Sequence, residues 1–194
     1  MDVKKNVLYA IFKRSTDVVL SSIVLVFLVI PVCCLGFFLC RGSPFYTSNR
    51  VGVAGGIFKM YKLRTMRRNT PLVASDQLSS PESYLIPGGR VLRLLSLDEL
   101  PQFWNVFKGD MSLVGPRPSL PIQTDLNKAR LNAGISCCKP GITGLAQING
   151  RDYLSIEEKV FFDVVYCHKR SIQYDFYILI RTLSVIFRPS NISH

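Results

Sequence analysis

From Val18 to Leu39 the chain runs 22 residues without a charge. At about 1.5 Å rise per residue, a helix of that length covers the ~30 Å hydrocarbon core of a bilayer. A buried helix so long and so uniformly apolar is unusual in a soluble domain, and the segment predicts membrane insertion. The run is too long for the core of a cleaved signal peptide, and no A-x-A-type site follows it. With 194 residues in all, the chain has room for this anchor and one domain.

The flanks of the run bear on topology. Lys4, Lys5, Lys13 and Arg14 precede it, and Arg41, Arg50, Lys59 and Lys62 follow it. The positive-inside rule therefore draws both ends to the cytoplasmic side. Pro31, past the middle of the run, lacks a backbone donor and favours a break there. A helix broken near Pro31 that enters and leaves by one leaflet satisfies both observations, and it is the preferred reading over a single kinked span.

Elsewhere the chain reads as α+β and mainly helical. Phe45 to Met66 alternates short apolar runs with Gly52, Gly55 and Gly56, the pattern of strand and turn. Residues 69–89 read as a loop, and Arg90 to Phe107 as a helix interrupted near Pro101. Val114-Gly115-Pro116-Arg117-Pro118 reads as a rigid extended loop, because each proline fixes its own φ and restricts its predecessor. The stretches Pro140–Gly144 and Gln147–Arg151 read as further loop. Ser155 with Glu158 forms a capping box that opens a helix to about Tyr166. Tyr174 to Phe187 reads as an amphipathic helix lying at a membrane surface, with a soluble core helix as the plainer alternative. The expected division is a membrane-inserted helix over 1–41 and a small cytosol-facing catalytic domain with an interfacial C-terminal helix over 42–194.

Six cysteines lack the spacing of a metal framework, and no His is placed to complete a zinc site. Reduced thiols are the simplest account.

The chemistry concentrates at Ser96-Leu97-Asp98-Glu99-Leu100. The chain carries 24 Lys and Arg against 13 Asp and Glu, a net charge of +11, so adjacent carboxylates stand in positive surroundings. Positive neighbours favour the ionised carboxylate and bind anions such as phosphate. Beside bound phosphate, a carboxylate can ligate a divalent cation or attack phosphorus. Alone, the pentapeptide reads more plainly as a helix start, since Ser96-x-x-Glu99 is also a capping box. The basic cluster Lys59, Lys62, Arg64, Arg67 and Arg68 fits a solvated face, an anionic-lipid contact or a phosphate site. Arg117, held between two prolines, is suited to presenting a guanidinium to phosphate or a nucleotide, or else marks a simple turn.

Taken together, these stretches resemble the monotopic phosphoglycosyl transferases of the bacterial sugar transferase family. The matching residues begin with Lys13-Arg14-x-x-Asp17, Arg50-Val51-Gly52, Phe58-Lys59-x-x-Lys62-Leu63-Arg64-Thr65-Met66 and Ser96-Leu97-Asp98-Glu99-Leu100-Pro101-Gln102. They continue with Asn105-Val106-x-Lys108-Gly109-Asp110-Met111-Ser112, Val114-Gly115-Pro116-Arg117-Pro118 and Pro140-Gly141-Ile142-Thr143-Gly144. Gln147-x-Asn149-Gly150-Arg151 and Asp163-x-x-Tyr166 complete the set. The resemblance implies transfer of a sugar 1-phosphate from a UDP-sugar to polyprenol phosphate, with UMP as the other product and Mg²⁺ required. This is the first membrane step of polysaccharide or glycoprotein glycan assembly, at the cytoplasmic face of the bacterial inner membrane.

By the same resemblance Asp98 is the covalent nucleophile and a Mg²⁺ ligand, and Glu99 assists proton transfer. Lys59, Lys62, Arg64, Arg93, Arg117 and Gln147 are the substrate-binding candidates. UDP-sugar, polyprenol phosphate and membrane lipids are the expected partners, nucleic acid is not, and a homo-oligomer is left open. Two positions depart from the family pattern. Ile30 precedes Pro31 where a Ser is common, and Ser48 stands where a Gln often precedes Arg-Val-Gly. A membrane-bound phosphatase or nucleotide-sugar hydrolase, and a non-enzymatic basic membrane adaptor, are the competing readings. No side-chain pattern tells an N-acetylated amino sugar, the preferred one, from galactose or glucose.

Overall fold

The computed structural model describes residues 3–32, 44–71, 81–150 and 153–186. Helix predominates among them, with two small two-stranded sheets, as the α+β reading expects.

Helix α1 spans Val3–Val24 and passes into a π-helical segment, Leu25–Val29, before the chain stays helical through Val32. The π segment lies just ahead of Pro31, whose ring would crowd the carbonyl four residues back and whose nitrogen donates nothing. A widened turn is one way to absorb that defect. Among the described residues the helix is not broken at Pro31: it carries a widened turn ahead of the proline and stays helical through Val32. The residues beyond Val32, where a re-entrant path would be completed, lie outside the described residues. Val7–Val32 is long and apolar enough, by length and composition, to cross a membrane.

α1 is not apolar all round. Asp17 and Ser21 are buried on one face, together with the partly buried Lys13, and all three lie at helical spacing. Arg14 donates to the carbonyls of Val106 and Phe107 at 2.7 Å each, and Asp17 Oδ1 accepts from the Leu113 N–H at 3.1 Å. The opposite face exposes large apolar side chains such as Phe12, Val19 and Phe27.

Where strand and turn were expected, strands β1 (Phe45–Val51) and β2 (Ile57–Leu63) form an antiparallel hairpin, with Tyr46 opposite Lys62 and Arg50 opposite Phe58. The free edge of β2 is closed by a side chain. Asn105, wholly buried, accepts from the Tyr61 N–H at 3.1 Å and donates to the Lys59 carbonyl at 2.7 Å, replacing a neighbouring strand.

The expected helix over Arg90–Phe107 is two helices. α2 (Gly89–Leu94) and α3 (Gln102–Lys108) are separated by a 3₁₀ turn, Leu97–Glu99, and Pro101 caps α3 rather than interrupting it. At that position a missing N–H costs nothing, since the first turn has no intrahelical acceptor for it. Gly109, at φ 97°, ends α3 and lets three successive N–H groups converge on the Asn105 carbonyl.

Pro140–Gly144 is not merely loop. Gly141–Thr143 forms β4, which pairs in parallel with β3 (Ser112–Val114), and the short helix α5 (Leu145–Ile148) follows. α4 spans Thr124–Asn132, α6 Ile156–Lys169 and α7 Ile172–Ile186. The capping box at Ser155 and Glu158 is formed in both directions. Met60, Val106, Met111, Val114, Tyr166 and Ile178 form the centre of the core and join the hairpin, α3, β3, α6 and α7. α7 exposes Phe176, Tyr177, Ile180 and Leu183, as an interfacial helix would. Cys138 and Cys167, 29 residues apart in sequence, are brought side by side by the fold.

Candidate active site

The two carboxylates of Asp98 and Glu99 lie on the 3₁₀ turn between α2 and α3, and both are buried. Ser96 enters that turn at φ 53°, ψ 21°, a left-handed conformation that costs a β-carbon residue energy and is held only by surrounding structure. No cap bond forms from the Ser96 side chain. The capping-box reading is therefore corrected: a left-handed Ser96 does not act as a helix cap, and Glu99 turns inward to Lys62.

Lys62 Nζ stands 2.8 Å from Glu99 Oε1 and 3.9 Å from Asp98 Oδ2. Arg117 Nη2 reaches the same Glu99 oxygen at 3.5 Å. Two adjacent carboxylates in a partly desolvated site repel each other and resist joint ionisation. A lysine and an arginine beside them offset that repulsion. The strand alternation of β2 brings Lys62 to this side with buried Met60, while Lys59 is exposed and points to the other face.

Arg117 is supported from behind. Arg130 Nη1 donates to the Arg117 carbonyl at 2.8 Å, and its Nε and Nη2 fork onto Asp163 Oδ2 at 3.0 and 2.7 Å. Burial pushes the Asp163 carboxyl up, with Arg130 pulling the other way. In front of Arg117 lies a seam of backbone against backbone. A β-carbon on Gly115 would overlap the Lys139 carbonyl oxygen, one on Gly141 the Gly115 nitrogen, and one on Gly144 the Gly115 oxygen. Only glycine permits that approach.

Arg50 was not among the expected site residues, yet the fold carries it there. Its Nη1 donates to the Pro118 carbonyl at 3.1 Å, and the Val51 N–H to the Ser119 carbonyl at 3.0 Å, which joins the hairpin to the Pro-Arg-Pro loop. Burial, and then the like charge of Arg117, push the Arg50 guanidinium down to about 10. Two guanidiniums that repel each other behind a carboxylate pair make a seat for an anion. The signal in the sequence was an Arg placed within an otherwise uncharged strand, directly before Val51-Gly52.

The remaining candidates are spread around this centre. Arg93 lies in the last turn of α2, ahead of the dyad. Arg64 donates to the Phe45 carbonyl at 3.2 Å and lies over the Tyr46 ring, 5.8 Å from its centroid. Gln147, on α5, is buried with neither amide atom hydrogen-bonded, and its Oε1 faces the Gly144–Gly115 seam.

Among the described residues no group of three or more His, Cys, Asp or Glu assembles, so no all-protein metal cage is built there. Mg²⁺ is commonly held by one or two carboxylates together with substrate phosphate, and the Asp98–Glu99 pair suits that mode.

The chain matches the bacterial sugar transferase family over residues 8–189. It belongs to that family. It is 36% identical over 194 residues to the exopolysaccharide production protein ExoY of Sinorhizobium fredii, an alignment covering 91% of this chain and 85% of that protein. It is 34% identical over 193 residues to the UDP-galactose-lipid carrier transferase of Erwinia amylovora, covering 91% of this chain and 40% of the relative. It is also 34% identical over 185 residues to the UDP-glucose:undecaprenyl-phosphate glucose-1-phosphate transferase of Escherichia coli, covering 89% and 39%. The chain thus spans about 40% of the length of the Erwinia and Escherichia sugar transferases. Membership of that family makes it a transferase.

Proposed function

We propose that this sugar transferase moves a sugar 1-phosphate from a UDP-sugar to undecaprenyl phosphate at the cytoplasmic face of the inner membrane, through an aspartyl sugar-phosphate intermediate. The observation that carries the reading is the buried Asp98–Glu99 pair facing Lys62 and Arg117. The names of the relatives from Erwinia and Escherichia support the donor and acceptor classes.

Asp98 Oδ attacks the sugar-bearing phosphorus. The new Asp98 O–P bond forms as the phosphoanhydride bond breaks, and UMP departs with the bonding electrons. Arg117 and Arg50 bind the diphosphate and neutralise its charge, so that an anionic nucleophile can approach an anionic centre. The phosphate oxygen of undecaprenyl phosphate then attacks the same phosphorus. The Asp98 O–P bond breaks, Asp98 recovers its carboxylate, and undecaprenyl-diphosphate sugar leaves. Glu99, held by Lys62, takes any proton the acceptor phosphate carries. Asp98, together with substrate phosphate, would hold Mg²⁺, which would supply further charge neutralisation when bound.

The test is a single-turnover measurement. Purified enzyme with UDP-sugar and Mg²⁺ but no lipid acceptor releases about one equivalent of UMP per site and stops. Mass spectrometry then finds a sugar phosphate on the peptide carrying Asp98. Asp98→Asn abolishes both signals. Full transfer on addition of lipid, with neither burst nor adduct beforehand, would mean direct attack by the lipid phosphate. Sustained UMP release without lipid would mean a hydrolase.

A further inference from the structure

A buried polar hub lies outside the dyad. Asp175, on α7, is buried and gathers three side chains: Lys13 Nζ at 2.6 Å and Tyr9 Oη at 3.0 Å on its Oδ2, and Tyr166 Oη at 2.9 Å on its Oδ1. Tyr9 and Lys13 belong to α1 and Tyr166 to α6. The Tyr166 hydroxyl also lies 2.9 Å from the Val114 carbonyl, so its one proton is shared between that oxygen and Asp175. Val114 is the last residue of β3, and the chain from there runs through Gly115 and Pro116 to Arg117.

The same strand is gripped a second time by α1, where Asp17 accepts from the Leu113 N–H. Backbone groups of two consecutive residues, the Leu113 N–H and the Val114 carbonyl, are therefore held by α1 directly and by α1 through Asp175 and Tyr166. Neither hold is needed to complete the β3–β4 ladder, which is bonded on its other side, from the Gly115 N–H to the Thr143 carbonyl at 2.9 Å. Burial, the Asp175 charge and Tyr9 push the Tyr166 phenol far above its usual range, so it remains a donor at every working pH.

We infer that Asp175 is a positioning residue: it ties the apolar helix α1 to the end of the strand from which the Arg117 loop departs, so that the seating of α1 sets where the Arg117 guanidinium stands. The hub rests on the proposed role of Arg117 in donor binding. A helix whose outer face suits lipid would thereby transmit its seating in the bilayer to the substrate site over a path of four named side chains. A buried carboxylate sharing three donors is costly to break at any one of them, since the others are left unpaired.

The full-length protein in nanodiscs tests this with Asp175→Asn and Tyr166→Phe. The second removes only the hydroxyl that links Asp175 to Val114, and it keeps the assay open if the first folds poorly. Glu158→Ala, which weakens the start of α6 without touching the hub, controls for general loss of stability. Hydrogen exchange of the 112–118 peptide is expected to speed up in both hub variants and not in the control, with the β1–β2 hairpin unchanged in all. The KM for UDP-sugar is expected to rise roughly fivefold, a moderate coupling between neighbours. Asp175→Asn added to Arg117→Lys is expected to cost no more than Arg117→Lys alone. Unchanged exchange at 112–118, or fully additive losses in the double variant, would overturn the inference. A wild-type enzyme that turns over no UDP-sugar would refute the proposed function, while the exchange experiment would still decide whether α1 holds the loop.

Discussion

Ser48 Oγ accepts a hydrogen bond from Arg50 Nε across 3.2 Å. The residue that departs from the family pattern therefore aims the guanidinium that the sequence reading passed over. With Nη1 fixed on the Pro118 carbonyl, the Arg50 plane is set by two bonds, close enough to Arg117 to feel its like charge. Arg50→Ala is expected to weaken UDP binding by roughly tenfold or more, about 1.4 kcal/mol or above, and Ser48→Ala by less. Isothermal titration with UDP checks both, and equal affinity in wild type and Arg50→Ala would remove Arg50 from the site.

Lys62 stands between two carboxylates. Lys62→Met leaves Asp98 and Glu99 side by side with less positive charge, which raises the apparent pKa of the pair. Activity is expected to fall about a hundredfold at neutral pH, and the acid limb of its pH profile to move upward. A profile that keeps its shape would show that Lys62 does not govern ionisation of the dyad. In the wild type, a chelator is expected to stop UMP release and added Mg²⁺ to restore it.

Arg117→Lys keeps the charge but loses the planar fork. The expected result is a clear fall in kcat/KM. Full activity would make Pro116-Arg117-Pro118 a structural turn and nothing more.

For topology, a single Cys introduced at Asn6 and another past residue 41 are expected to label only from the cytoplasmic side. Labelling of the first from the periplasm would establish a full span. Replacing Pro31 with Leu removes the reason for a widened turn and is expected to shift the balance toward spanning.

Local signals were the legible ones. Three glycines between two apolar runs announce the β1–β2 hairpin, and Ser155 with Glu158 announces the start of α6, because each depends on residues only a few positions apart. The dyad stood out through its charge contrast with the rest of the chain. What stayed hidden depends on distant partners. β3 and β4 hold three residues each and pair across 29 positions, too short for periodicity to register. The ion pair of Arg130 with Asp163 and the hub at Asp175 join residues that nothing in the primary structure connects. One clue lay in plain view: Lys13, Asp17 and Ser21 make a polar stripe leading into the apolar run, and a helix that only met lipid would have no use for it.

The π-helical segment Leu25–Val29 has a geometric corollary. A π turn holds about one residue more than an α turn, and each residue advances an α-helix by about 100°. Ile30–Val32 are thus out of phase with Lys13 and Asp17 by roughly a quarter turn, compared with an uninterrupted helix. Deleting any one residue of the segment would restore an ordinary helix with Ile30–Val32 facing as they do now, whereas straightening the turn without a deletion, while the polar stripe stayed bolted to β3, would swing them about the axis. Those five residues act less as a spacer than as a rotary setting, fixing which way Ile30–Val32 face relative to the Asp98–Glu99 pair.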